Sequence, residues 1–120
     1  MEAKLYNLDI LKITTEDDNE FFVKILSTFL NNNKEMVLKM ESAFEGKRLT
    51  EIGEIAHKML GSYKHLEINS LIKPLTDLEG LTIGKTLELP HIKDLIEHIK
   101  QDSDEVFRGL EREISEISNL

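Results

Sequence analysis

The sequence predicts an all-α fold: an up-and-down four-helix bundle with a short accessory helix at its N-terminus. Three observations predict it. Apolar residues recur at three-to-four spacing along most of the 120 residues, which places them on one face of successive helices. No alternating run of strand type competes. Proline occurs only at Pro74 and Pro90, and no Gly/Ser-rich linker divides the chain, so short connections should join antiparallel neighbours. One domain over residues 1–120 follows, and a chain of that length buries roughly two-thirds of the surface its unfolded form exposes.

In order, Leu5, Leu8, Leu11 and Ile13 suggest the short first helix. Thr14-Thr15-Glu16-Asp17 then supplies hydroxyl caps and acidic first-turn residues for a second, both favoured at helix starts. Phe21, Phe22, Ile25, Leu26, Phe29 and Leu30 carry that helix to about Asn31, with Asn31-Asn32-Asn33 as its stop. Lys34 to Glu45 repeats the pattern through Met36, Val37, Met40 and Phe44, and Gly46 is available for a left-handed helix end. A further helix spans Leu49 to Leu66, a shorter one Asn69 to Leu78, and a last one runs from Pro90, a good first-turn residue, toward Ile117. Glu79 to Leu89 is expected to be a loop, because Gly80, Gly84, Thr82 and Thr86 weaken helix there. The Leu49 and Pro90 helices are expected to be the long members.

Composition narrows the function. A formal charge of −8 opposes nucleic-acid binding, which needs excess Lys and Arg. The absence of cysteine removes disulfides and thiolate chemistry together and fits a reducing compartment. No apolar run approaches the ~18 residues of a membrane span, and the N-terminus lacks the order of a signal peptide. The expectation is a cytoplasmic monomer whose partner is a protein or a small solute.

One helix carries the chemistry. At ~100° per residue, Ile52, Ile55, Ala56, Met59, Tyr63 and Leu66 lie within about 40° of one line, the core-facing stripe, while His57 lies roughly 140° away. His57 should therefore face solvent. Gly53 and Gly61 stand one turn to either side of it. Each interior glycine costs a helix about 1 kcal/mol against alanine, so a pair around one exposed histidine suggests close approach of another molecule. Imidazole titrates near neutrality and can offer a free ring nitrogen, and Lys58 and Lys64 can receive phosphoryl oxygens. Phosphoryl transfer asks the acceptor mainly for position and complementary charge, so a partner could bring the rest.

Ala56-His57-Lys58-Met59-Leu60-Gly61-Ser62 resembles the signature of the histidine-containing phosphotransfer (HPt) domain family. The resemblance extends to Phe21-Phe22, a second helix ending at Glu45-Gly46, and Leu71, Leu75, Leu78 and Glu79. It implies that His57 is the phosphoacceptor, that Lys58 assists it, and that Gly61 leaves room for a docking receiver. Leu60, Tyr63 and Glu67 depart from the pattern, standing where a second lysine, a small residue and glycine are common; Lys64 is the candidate replacement for that lysine. The implied function is a phosphocarrier without intrinsic kinase activity, passing a phosphoryl group between receiver-domain aspartates. Its implied partners are response-regulator receiver domains and a hybrid sensor histidine kinase. No cofactor is expected on this chain, with magnesium on the partner receiver. Gly53, Leu60 and Gly61 are the expected contact surface.

Other signals are weaker. Glu54-x-x-His57 and Glu88-x-x-His91 match di-iron spacing, but such ligands point into a bundle core and His57 does not. Gly80 to Thr86 resembles a P-loop with one residue too few between its glycines. His65, His91 and His98 lack the two-glycine surround, and Met36, Met40 and Met59 fit apolar stripes. The alternative from another class is a non-catalytic helical adaptor that docks a signalling partner through the same exposed surface.

Overall fold

Asp18 accepts the backbone N–H of Phe21 at 3.1 Å and so caps a helix that runs without interruption for 27 residues. The structure is a computed structural model that describes residues 5–83 and 89–118. Its helices are α1 (Asp9–Thr14), α2 (Asn19–Glu45), α3 (Leu49–His65), α4 (Asn69–Ile83) and α5 (Leu89–Ser118), and no strand occurs among the described residues. The two helices expected on either side of Asn31-Asn32-Asn33 are thus one. Three asparagines cost a helix roughly 2 kcal/mol in propensity, whereas each large apolar side chain buried along the same face contributes roughly 1.5–3 kcal/mol. Phe22, Leu26, Leu30, Val37 and Met40 form one buried stripe straight through the segment. Asn33 sits buried within it, its Nδ2 donating to the Phe29 carbonyl at 2.9 Å. Burial outweighs propensity.

That fusion makes α2 and α5, not α3 and α5, the long members. The 30 residues of α5 extend ~45 Å at 1.5 Å each, close to the molecule's 50 Å long dimension. Packing runs around a ring: α2 against α3, α3 against α4, α4 against α5, and α5 back against α2. Ile52, Met59, Leu71, Leu75, Leu78, Ile92 and Ile99 are fully buried at its centre. The core stripe expected on α3, from Ile52 to Leu66, is buried throughout. With 17 and 15 residues, α3 and α4 span only part of the length of α2 and α5. Beyond them the N-terminal segment covers the core, with Leu8 buried, Asn7 N–H donating to the Leu66 carbonyl at 2.9 Å, and Tyr6 Oη donating to Glu113 at 3.2 Å.

Tyr63 ties α3 to both long helices. Its hydroxyl lies 2.7 Å from Ser103 Oγ on α5, and its ring packs 5.6 Å from that of Phe29 on α2. Burial pushes its phenol well above the ordinary range, with the Ser103 hydrogen bond offsetting only part of the effect. The group is therefore a neutral structural strut.

Two further boundaries differ from expectation. Helix α4 continues through Gly80 to Ile83 because Leu75, Leu78 and Thr82 keep its buried face going, and Thr82 Oγ1 bonds back to the Glu79 carbonyl at 2.9 Å. Residues 79–83 of the expected loop are therefore helical, Leu89 begins α5, and 84–88 lie outside the described residues. Pro74 is tolerated inside α4 because the carbonyl it deprives of a partner belongs to exposed Ser70, which water can satisfy. Pro90 does stand in the first turn of α5.

The first three helices all end in the same way. After α1, Glu16 and Asp17 donate to the carbonyls of Ile13 and Lys12; after α2, Lys47 and Arg48 donate to Phe44 and Ala43; after α3, Glu67 and Ile68 donate to Lys64 and Tyr63. These are Schellman turns, whose reversing residue must be left-handed. In each case that residue is not glycine: Glu16, Lys47 and Glu67 have φ of 52°, 57° and 49°. Gly46, expected to supply this conformation, has φ −85° and instead makes room for Arg48. A left-handed non-glycine residue costs roughly 1–2 kcal/mol. Glu67→Gly should accordingly raise stability by up to about 1 kcal/mol in chemical denaturation, part of the gain being offset by greater freedom of the unfolded chain; an unchanged or lowered midpoint would show that Glu67 is held by other contacts.

Candidate functional site

The site is built by the contact between α3 and α4. Gly53, buried on α3, faces Thr82 on α4 so closely that a Cβ there would run into Thr82 Oγ1. One turn along each helix from this contact, His57 Nδ1 lies 3.0 Å from Glu79 Oε1. The His57 side chain is 73% exposed and that of Glu79 25%. A carboxylate can only accept a hydrogen bond, so the neutral ring in this pairing carries its proton on Nδ1 and its lone pair on Nε2. Nε2 has no hydrogen-bond partner among the described residues. The outcome is an oriented imidazole with an available nucleophilic nitrogen on an open surface.

Around it lies a groove of ≈ 990 Å³ bounded by Lys47, Leu49, Gly53, Lys58, Glu79 and Thr82. It joins the middle of α3 to the α2–α3 turn. Arg48 also lines it and is engaged by Glu51 at 2.6 Å, and Lys47 and Lys58 are exposed at the rim. Leu49 and the apolar stems of the longer side chains give the groove an apolar surface, and both signs of charge surround it, Lys47 and Lys58 with Glu54 and Glu79.

The residues singled out in the sequence separate into three groups. His57 and Lys58 share this groove. Gly61 and Lys64 are exposed on the same helix but do not line it, and a Cβ on Gly61 would meet nothing within 4 Å. Leu60 is half-buried and packs against the core. Gly53 owes its lack of a side chain to the Thr82 contact, so only Gly61 retains the open approach expected of both glycines.

Glu79, the hydrogen-bond partner of His57, falls in the segment expected from the sequence to be a loop and is a candidate site residue that expectation did not include. A signal for it exists. The α3–α4 turn is centred near residue 68, so antiparallel partners sit almost equidistant from it: 53 with 82, and 57 with 79.

His65, His91 and His98 are exposed, and His98 Nε2 lies 3.4 Å from Asp102 one turn away. Among the described residues, no three His, Asp or Glu side chains converge in a way that could hold a metal ion. Glu54 is exposed on α3 beside His57, while Glu88 lies outside the described residues. No described helix is long and apolar enough to cross a membrane.

No family model, no curated protein and no solved structure matches this chain.

The two glycines of α3 should respond in opposite directions to the same change. Gly53→Ala forces α3 away from Thr82 and should destabilise by about 1–3 kcal/mol. Gly61→Ala meets no neighbour and should stabilise by about 1 kcal/mol. Urea denaturation of both variants reads the difference directly, and equal effects would contradict the packing role of Gly53.

Proposed function

We propose that this protein is a histidine phosphotransfer carrier, an HPt-like four-helix bundle of α2 to α5 with α1 as accessory helix. The observation that carries the proposal is the exposed His57 held through Nδ1 by the Glu79 carboxylate. In the proposed step, the Nε2 lone pair attacks the phosphorus of a receiver domain's aspartyl phosphate. The P–N bond forms as the P–O bond breaks, and the receiver's carboxylate leaves with its electron pair. The ring keeps its Nδ1 proton and becomes cationic. Glu79, accepting that proton's hydrogen bond, stabilises the positive charge as it develops, as a carboxylate does behind an attacking or basic histidine. Transfer to a second receiver aspartate reverses these movements.

Lys58, on the rim of the same groove, receives phosphoryl oxygens; Lys64, two turns along α3, plays a smaller part. Open space over Gly61 admits the partner's backbone, and half-buried Leu60 offers an apolar contact. The receiver brings magnesium and the electrophile, so this chain acts as a carrier without kinase activity of its own. Response-regulator receivers and a hybrid sensor kinase are the proposed partners, in the cytoplasm.

Incubation with phosphorylated receiver domains should yield an acid-labile, base-stable phosphoryl adduct by intact mass, and His57→Gln should abolish it while receiver binding persists. Glu79→Gln should slow transfer on the order of tenfold, the lower end of what a hydrogen bond to a charged group is worth. Lys58→Ala should slow it more than Lys64→Ala. No adduct with any of several receivers, together with binding that ignores His57→Gln, would favour the adaptor reading instead.

A further inference from the structure

Across the ring from the α3–α4 groove, α2 and α5 form an outer face that the site does not use. A shallow groove of ≈ 490 Å³ runs between them. Leu38 stands over it 67% exposed, among the most exposed large apolar side chains described. Two ion pairs cross the groove on either side of Leu38: Lys34 to Glu111 at 2.9 Å and Glu41 to Lys100 at 3.1 Å. Asp104 and Arg108 line it between them on α5.

The order of these charges is unusual. Along α2 it reads plus at Lys34, apolar at Leu38 and minus at Glu41; along α5 it reads minus, plus, minus, plus from Glu111 through Arg108 and Asp104 to Lys100. Travelling in the opposite direction turns every sign into its opposite. A pattern with that property is complementary to itself across a two-fold axis lying in the interface and perpendicular to the helices. With the axis through Leu38, a second copy lays its α2 antiparallel on this one. Lys34 then faces Glu41 of the second copy, Arg108 faces its Asp104, Lys100 faces its Glu111, and the two Leu38 side chains meet on the axis. The six charges sum to zero in a chain of formal charge −8, so this face can meet another copy without the self-repulsion that an average face would suffer.

We infer that the α2–α5 face is an isologous homodimer interface, its occupant a second copy of this chain, in place of the monomer expected from the sequence. One apolar contact inside a charged rim is smaller than the roughly 1,000 Å² of buried surface that a stable complex needs. The dimer is therefore weak and reversible, with a dissociation constant between about 10 µM and 1 mM. Both His57 side chains remain outward, on the far sides of the pair.

Sedimentation equilibrium from about 10 µM to 1 mM protein tests this. Wild type should show monomer–dimer exchange that weakens in 0.5 M salt, as expected of screened charges. Leu38→Glu, at a position too exposed to disturb folding, should remain monomeric. The decisive variant reverses all four cross-groove charges: Lys34→Glu, Glu41→Lys, Lys100→Glu and Glu111→Lys. It keeps both internal ion pairs and its own self-complementarity, so it should dimerise with itself; against wild type it sets like charges together, so labelled mixtures should form no mixed dimer. Wild type that stays monomeric to 1 mM, a dimer indifferent to Leu38→Glu, or free mixing with the reversed variant would each overturn the inference.

Discussion

The close approach of α3 to α4 at Gly53 is the constraint on which the rest of the site depends. With no Cβ at Gly53, Thr82 of α4 settles against the backbone of α3. That sets both the separation of the two helices and their register. The register then decides which side chain reaches His57: Glu79, at 3.0 Å. An isolated exposed imidazole samples many orientations and both tautomers. One tethered at Nδ1 favours a single tautomer and leaves Nε2 unpaired, with part of the entropic cost of orientation met on folding. Packing in the interior thus sets the chemistry at the surface.

The reversal between the two helices works with this contact. The Schellman turn at Leu66 to Ile68 brings α4 back along α3 within three residues, and left-handed Glu67 accepts local strain for it. Buried Tyr63 and Ile68 flank the turn, and the Tyr63 hydroxyl anchors the same end of α3 to Ser103 of α5. The end of α3 is therefore tied to two neighbours while its middle stays open on one side. An exposed reactive group on a well-anchored helix is a common requirement for precise docking.

Much of this was legible in the sequence, and the exceptions have physical causes. The helical class, the extent of α3, its core stripe and the outward direction of His57 follow from a 3.6-residue period over a long segment, the strongest signal a single sequence carries. The break expected at Asn31 to Asn33 does not occur because the apolar stripes on either side of it fall on the same face of one helix, and their burial outweighs the propensity of three asparagines. The early end given to α4 failed likewise: Gly80 and Thr82 look like helix breakers until Thr82 is seen buried against Gly53. That error hid Glu79 and led both glycines of α3 to be read as one docking feature, when one serves an internal contact and the other an open surface. The left-handed residues Glu16, Lys47 and Glu67 were illegible because none is the glycine that usually takes this conformation, and at the end of α2 the neighbouring Gly46 drew the expectation one residue early.

The Glu79 carboxylate, by accepting from Nδ1, should fix the tautomer of His57. Long-range ¹H–¹⁵N correlation spectra of the ring, recorded on the protein at a pH where the imidazole is neutral, test it most directly. Wild type should show a protonated Nδ1 and an unprotonated Nε2, with that preference lost or diminished in Glu79→Ala. A ring protonated chiefly on Nε2 in wild type, or one whose tautomer is indifferent to Glu79, would contradict it.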